Sequence, residues 1–192
     1  RGSLLLRVRD TSDEHAWREF DELYGDLILR YARRLGLEIA DGEDVRQMVL
    51  LGLVRSLPGF QLRPERGRFR HYLGRAVRNA IHRHRSRIRP TCFPLHETDR
   101  TEETATGAVD WDETWEAEWR LHDLRRALYV VRQKHDLRTL EVFEELLDGA
   151  SVAEVAESRG MSREAVHKIK QRLRDQLREI IAAQIAREET LL

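Results

Sequence analysis

Apolar residues recur along the chain at steps of three and four, and the stretches that carry them are bounded by residues that start or stop helices. Between Asp13 and Leu35 the positions Trp17, Phe20, Leu23, Tyr24, Leu27, Ile28, Tyr31 and Leu35 form one stripe, which predicts an amphipathic helix. A second helix is expected over Gly42–Leu57, with Val45, Met48, Val49, Leu51, Leu53 and Val54 apolar and Pro58-Gly59 as the stop. Residues 61–67, with Pro64 and Gly67, read as a loop. A third helix, Arg68–Arg87, is expected to bury Phe69, Tyr72, Leu73, Ala76, Val77 and Ile81 and to turn its His and Arg residues outward. These three helices predict one small all-α domain over residues 1–88.

From Ile88 to Asp110 the periodicity fades and Pro90 and Pro94 intervene, so a linker is expected at 89–112, followed by a second helical domain over 113–192. Trp111, Trp115 and Trp119 stand at i+4 steps, with Leu121, Leu124, Leu128 and Val131 beyond them. Such a stripe suits a stacking ladder, but helical spacing favours core or domain-packing surface. Leu137–Leu147 predicts another helix, closed by Asp148-Gly149.

The next stretch carries the strongest pattern. Ser151-Val-Ala-Glu154 is a capping box opening a short helix, which ends at Arg159-Gly160-Met161; Ser162 then caps a longer helix with Ala165, Val166, Ile169, Leu173 and Leu177 as its buried stripe. Short helix, glycine turn, long helix is the layout of a helix-turn-helix, whose second helix enters the DNA major groove; an αα-hairpin in a bundle shares it. At 100° per residue, Glu164, His167, Lys168, Gln171 and Asp175 lie opposite the stripe, flanked by Arg163, Lys170, Arg172 and Arg174. Residues 162–178 hold 6 basic and 2 acidic side chains, the balance phosphate contact requires.

Charge sharpens the picture. The 192 residues carry 34 Lys+Arg against 34 Asp+Glu, yet residues 1–50 are net −3, residues 51–90 net +10, residues 91–120 net −7, and the remainder neutral. The +10 block is an electrostatic footprint for a polyanion or a solvated helix face. The chain's positive charge is almost all Arg, with Lys only at Lys134, Lys168 and Lys170, as bidentate phosphate contact or an arginine-rich genome would both give. The acidic segment beside two basic surfaces suggests competition with DNA. Few Pro (4) and Gly (11) argue against a turn-dense β fold. The single cysteine, Cys92, excludes an internal disulfide framework and fits a reducing, cytoplasmic setting. No run approaches a bilayer span, so membrane insertion is not expected, and the start Arg1-Gly2-Ser3-Leu4-Leu5-Leu6 reads as a trimmed or tagged N-terminus.

Enzymatic chemistry finds little footing. His82, His84, Cys92 and His96 are ligand types, but H-x-H is not a standard zinc pair and proline-rich sequence separates it from Cys92 and His96, so no metal or other cofactor is expected. A nuclease built on the His and Arg of residues 71–85 lacks a carboxylate cluster beside them. Neither a phosphate-binding glycine loop nor a nucleophile elbow occurs.

Two parts of the chain resemble bacterial RNA polymerase sigma factors of the extracytoplasmic-function type. Glu43-Asp44-Val-Arg-Gln47, the apolar helix to Leu57 and the close at Phe60 resemble sigma region 2.2. Phe69-Arg-His-Tyr72-Leu73-Gly-Arg75-Ala76-Val77-Arg78-Asn79 is similar to the F-x-x-W-L-x-x-I-A-x-N segment of regions 2.3 and 2.4, with Tyr72 in place of the commoner Trp. Leu124-Arg-Arg-Ala127-Leu128, Val142-Phe143, Gly149 to Ala156 and Gly160-Met-Ser162 are similar to region 4, and the two parts stand in the family's order. The resemblance implies a region 2 domain and a region 4 domain, joined by a linker.

It also implies roles. Asp41, Glu43, Asp44 and Gln47 would form the polar part of a contact with core RNA polymerase, a set that equally complements a helix dipole. Arg68, Arg70, Arg75, Arg78, Asn79 and Arg83 would hold the opened strand of the minus-ten element, where Phe69 and Tyr72 offer either stacking faces or core packing. Arg163, Glu164, His167, Lys168, Gln171, Arg172 and Arg174 would read the minus-thirty-five element. Glu164-Ala165-Val166-His167-Lys168-Ile169-Lys170 departs from the family's Gly-Thr-Val-Lys-Ser-Arg-Leu, so its promoter preference does not transfer. The implied partners are core polymerase and promoter DNA, with an anti-sigma protein a further one to test. The rival reading is a stand-alone helix-turn-helix repressor or activator with an N-terminal sensing or dimerisation module.

Overall fold

A computed structural model describes residues 4–58, 69–88 and 110–189. Among them are eight helices and no strand: α1 (Leu4–Arg7), α2 (Glu14–Arg34), α3 (Ile39–Ser56), α4 (Phe69–Ile88), α5 (Trp111–Arg132), α6 (Leu137–Leu147), α7 (Val152–Ser158) and α8 (Arg163–Glu189). The fold is all-α, as the periodicity predicts. Among the described residues no helix is long and apolar enough to cross a membrane.

The chain forms two compact units that divide between Trp119 and Arg120. The first packs α1 to α4 with the beginning of α5. Its α2 starts where Asp13 accepts the Ala16 N–H at 2.8 Å, fixing one of the otherwise unpaired donors of the first turn. Phe20, Leu27, Ile28 and Tyr31 of α2, Val45, Val49 and Leu53 of α3, and Leu73, Val77 and Ile81 of α4 are all almost fully buried in one core. Each such apolar side chain contributes about 1.5–3 kcal/mol by leaving water, so this shared stripe holds the three long helices together.

Four expectations change here. Helix α3 begins at Ile39 rather than Gly42. Leu51 is 60% exposed, because the buried positions Val45, Val49, Leu53 and Leu57 advance by steps of four and leave it on the opposite side. The first domain holds more than the three expected helices, since Leu5 of α1 and Val8 just after it are buried in its core. The second domain does not begin at 113: Trp115 and Trp119 are 2% and 1% exposed and belong to the first unit's core, where Trp119 lies 5.7 Å from Tyr24 and Trp115 meets Tyr31 edge-on at 5.0 Å. The stripe is therefore core, and only from Arg120 onward does α5 belong to the second unit. Most of the expected loop at 61–67 and linker at 89–112 lies outside the described residues.

In the second unit, Ala127 and Val131 of α5, Phe143 of α6 and Leu173 and Leu177 of α8 make one cluster. Val142, Val155, Ala156 and Val166 make another, with Met161 against it. Leu121 and Leu124, expected on the apolar stripe, are exposed; the stripe runs instead through Ala127, Leu128 and Val131.

If α5 is split between the units in this way, Trp119→Ala should remove about 3–5 kcal/mol from the unfolding of the first unit. The partly exposed Leu124 should cost far less when truncated. Denaturant titration followed by near-UV circular dichroism, compared across Trp119→Ala and Leu124→Ala, checks this.

Candidate nucleic-acid interface

The residues assigned to a polymerase contact divide into two groups along α3. Asp41 lies 3.1 Å from Nε2 of His84, and Glu43 accepts from Arg46 at 2.9 Å. Arg46 also forks onto both oxygens of Asp21 at 2.8 and 2.7 Å, tying α3 to α2, and these carboxylates raise its already high pKa. Asp44 and Gln47 are exposed, in line with Leu51 one turn further on. Asp41 and Glu43 thus hold the fold, whereas Asp44, Gln47 and Leu51 form an outward stripe.

His84 corrects the expectation that the histidines of α4 face water. It is 7% exposed because it continues the buried series Val77, Ala80 and Ile81 by one turn. Phe69 is also core, packed on Phe20 and Tyr24, so it offers no open stacking face. Tyr72 is half-buried, and its hydroxyl meets Ser56 at 2.6 Å.

The basic side of α4 is divided by α5. Asp110 caps α5 by accepting from the N–H groups of Asp112 and Glu113 at 2.9 and 3.0 Å. The helix then runs over one flank of α4. The Trp115 indole N–H donates to the Arg70 carbonyl at 2.9 Å, and its ring lies so close to Gly74 that a Cβ there would sit 2.7 Å from the indole nitrogen. Arg78 pairs with Asp112; Arg70 and His71 approach Glu116 at 3.3 and 3.4 Å. Of the minus-ten candidates, Arg70 and Arg78 therefore face carboxylates of the same chain, while Arg75, Asn79 and Arg83 are exposed on the other flank. Arg68 lies outside the described residues.

Further along this contact, Trp111 stacks on His82 at 5.0 Å and 19°, and the Arg85 guanidinium sits 5.8 Å from the same ring. Burial, then the charges of Arg85 and Arg78, holds the His82 pKa below its ordinary value of 6.5. Tyr31 donates its hydroxyl to the Trp111 carbonyl at 3.0 Å, and burial pushes its pKa up to about 12. Among the described residues no group of three His, Cys, Asp or Glu is placed to hold a metal ion. Cys92 and His96 lie outside them.

In the second unit the capping box is formed in both directions: Ser151 N–H donates to Glu154 at 2.8 Å, and Glu154 N–H to Ser151 Oγ at 3.2 Å. Gly160 takes φ +59, the left-handed conformation that ends α7 and redirects the chain, and Met161 N–H closes the turn onto Ala156 at 2.9 Å. Arg159 fastens this turn to α6 through Glu141 and Glu145. Ser162 Oγ then caps α8 by accepting from Ala165 at 3.1 Å. Arg163, Glu164, His167, Lys168, Gln171, Arg172 and Arg174 are all exposed, so the structure presents the whole expected set to solvent.

Sequence reasoning missed Leu51, the His84–Asp41 contact and the seat of α5 on α4. The Gly74 position amid large α4 residues, paired with a tryptophan triplet downstream, was the one available signal for the last.

Residues 20–91 match the family model Sigma-70 region 2. No curated protein matches the chain. Among solved structures the chain is similar to CnrH in its complex with the cytosolic domain of CnrY, at 20% identity over 94% of this chain and 96% of that one, with a TM-score of 0.36.

Because its folded pKa is depressed, neutral His82 contributes stability that is present above pH 6.5 and lost as pH falls below it, when the unfolded chain takes the proton first. The wild type should therefore lose stability between neutral and mildly acidic pH more steeply than His82→Gln. Thermal unfolding of both chains across that range provides the comparison.

Proposed function

We propose that the chain is a two-domain transcription initiation factor of the sigma-70 family and of its extracytoplasmic-function type, a reading supported by the match of residues 20–91 to Sigma-70 region 2. The observation that carries this reading is an order: a region 2 match upstream, then a capped short helix, a glycine turn and a long helix with a basic outer face. In this reading the first unit contacts core RNA polymerase and the minus-ten element, and the helices of the second unit, from Arg120 onward, contact the minus-thirty-five element.

Polymerase docking falls to the outward stripe of α3. Asp44 and Gln47 supply polar contacts, and exposed Leu51 supplies an apolar one a turn further on. Asp41 and Glu43 support the same surface from beneath. On α4, Arg75, Asn79 and Arg83, together with Arg70 and Arg78, track the phosphates of the opened strand, where positive charge lowers the cost of holding bases apart, and Arg68, just before the helix in sequence, is assigned to the same strand. On α8, the first two turns enter the major groove. His167, Lys168 and Gln171 face base edges, Gln171 suiting adenine, while Arg163, Arg172 and Arg174 hold phosphates on either side and Glu164 suits cytosine. An anti-sigma protein is the third partner class of this reading, after core polymerase and promoter DNA.

Two experiments test it. The wild type should co-purify with core RNA polymerase, and Asp44→Arg should lose that binding. Binding retained by the variant would reject the α3 stripe while keeping the function, and no binding by the wild type would favour the stand-alone DNA-binding regulator. Separately, Arg172→Ala and Lys168→Ala should weaken promoter binding by the holoenzyme. If Arg172 holds a phosphate, its removal lowers the salt slope of log K by about 0.9; Lys168→Ala should instead change sequence preference. Filter binding over a potassium chloride series on matched promoters reads both.

A further inference from the structure

The first turns of α5 lie along one flank of α4 and leave the flank of Arg75, Asn79 and Arg83 exposed. Three observations coincide there. Carboxylates of Asp112 and Glu116 sit against Arg78 and Arg70, two of the cations assigned to the strand. The tryptophans of the same turns are keyed to α4 by the Arg70 carbonyl, by the space left at Gly74 and by the stack on His82. The turn is capped by Asp110, so the acidic groups project from ordered helix rather than from loose chain.

Geometrically, this is a cover over half of a basic face. A residue that merely solubilised α5 would not need to meet the arginines, and Glu113 of the same turn is exposed. We propose that the first turns of α5 are a built-in competitor for the nucleic-acid face of α4: Asp112 and Glu116 occupy Arg78 and Arg70 in the free protein, and a single strand must displace them to engage the full face. The exposed flank, Arg75, Asn79 and Arg83, would make the initial contact. Exchange of carboxylate for phosphate at Arg70 and Arg78 would then complete it. The inference rests on the reading of α4 as a strand-contacting helix.

The side chains permit a clean test, because Asp112 is 79% exposed and its neutralisation leaves the packing untouched. The full chain, Asp112→Asn/Glu116→Gln, and the control Glu113→Gln would be titrated onto a fluorescein-labelled, mixed-sequence single-stranded oligodeoxynucleotide. Far-UV circular dichroism would verify folding, with Asp112→Asn alone as the fallback. The double variant should bind roughly three- to tenfold more tightly than wild type, the scale expected of partly exposed ion pairs removed from competition, and Glu113→Gln should bind as wild type does. An equal gain per charge in Glu113→Gln would reduce the effect to net charge and overturn the proposal. Unchanged affinity in the double variant, with wild-type chain binding DNA, would overturn it and leave the function of α4 intact. No DNA binding by any chain, nor by wild type loaded on core polymerase, would overturn both.

Discussion

Trp115 lies against Gly74 with its indole N–H on the carbonyl of Arg70, and much else in the first unit depends on that seat. A side chain at position 74 would occupy the space of the ring. Without the ring, the helix from 45 residues downstream would lose its buried anchor on α4. With it, Trp111 reaches His82 and Tyr31, Trp119 reaches Tyr24, and Asp112 and Glu116 come to rest beside arginines.

Magnitudes sort these contacts. Burial of two tryptophans, with aromatic neighbours adding about 0.5–1.5 kcal/mol per pair, exceeds what partly exposed ion pairs supply, about 0.2–1 kcal/mol each. The rings therefore set where α5 sits, and the charges decide what it covers. That division has a consequence for change under selection or design: the acidic residues can be altered without unseating the helix, whereas Gly74 and Trp115 are coupled. The same hierarchy holds on α3. Arg46 is committed to Asp21 and Glu43, and His84 to Asp41, so the charges that lock the domain are spent inward while Asp44 and Gln47 stay outward.

Much of this was legible in the sequence because helix periodicity reports burial directly. Phe20, Leu27, Val49, Leu73 and Val77 all take their expected places, and the capping box at Ser151 and the turn at Gly160 form as their residue types require. What escaped was whatever depends on a partner far along the chain. Leu51 reads as apolar on a helix, but the stripe there steps by four and leaves it outside. His84 reads as a surface histidine until the position it continues is seen to be buried beside Asp41. The tryptophan stripe was legible as core, but the core it belongs to was not, since a period of 3.6 says that a face is covered without saying by what. Of the candidate site, the α8 residues were fully legible because exposure follows from the stripe alone. The α4 residues were legible as a basic set and illegible in their pairing, which needs the position of Asp112 and Glu116.

A basic face of this density carries its own difficulty. Eleven arginines against one acid in residues 51–90 repel one another, and six of them, Arg70, Arg75, Arg78, Arg83, Arg85 and Arg87, lie on α4. Relief comes from any anion, and a carboxylate fixed in the same chain is present at high effective concentration whether or not DNA is near. In the proposed reading Asp112 and Glu116 therefore serve two ends by the same contacts: they lower the self-repulsion of α4, and they set a threshold that nucleic acid must exceed. Because each pair is worth little by itself, the threshold is shallow, a few-fold in affinity rather than a block. A contact of that depth is reversible by a partner that supplies many phosphates at once, and it costs the protein little when one arrives.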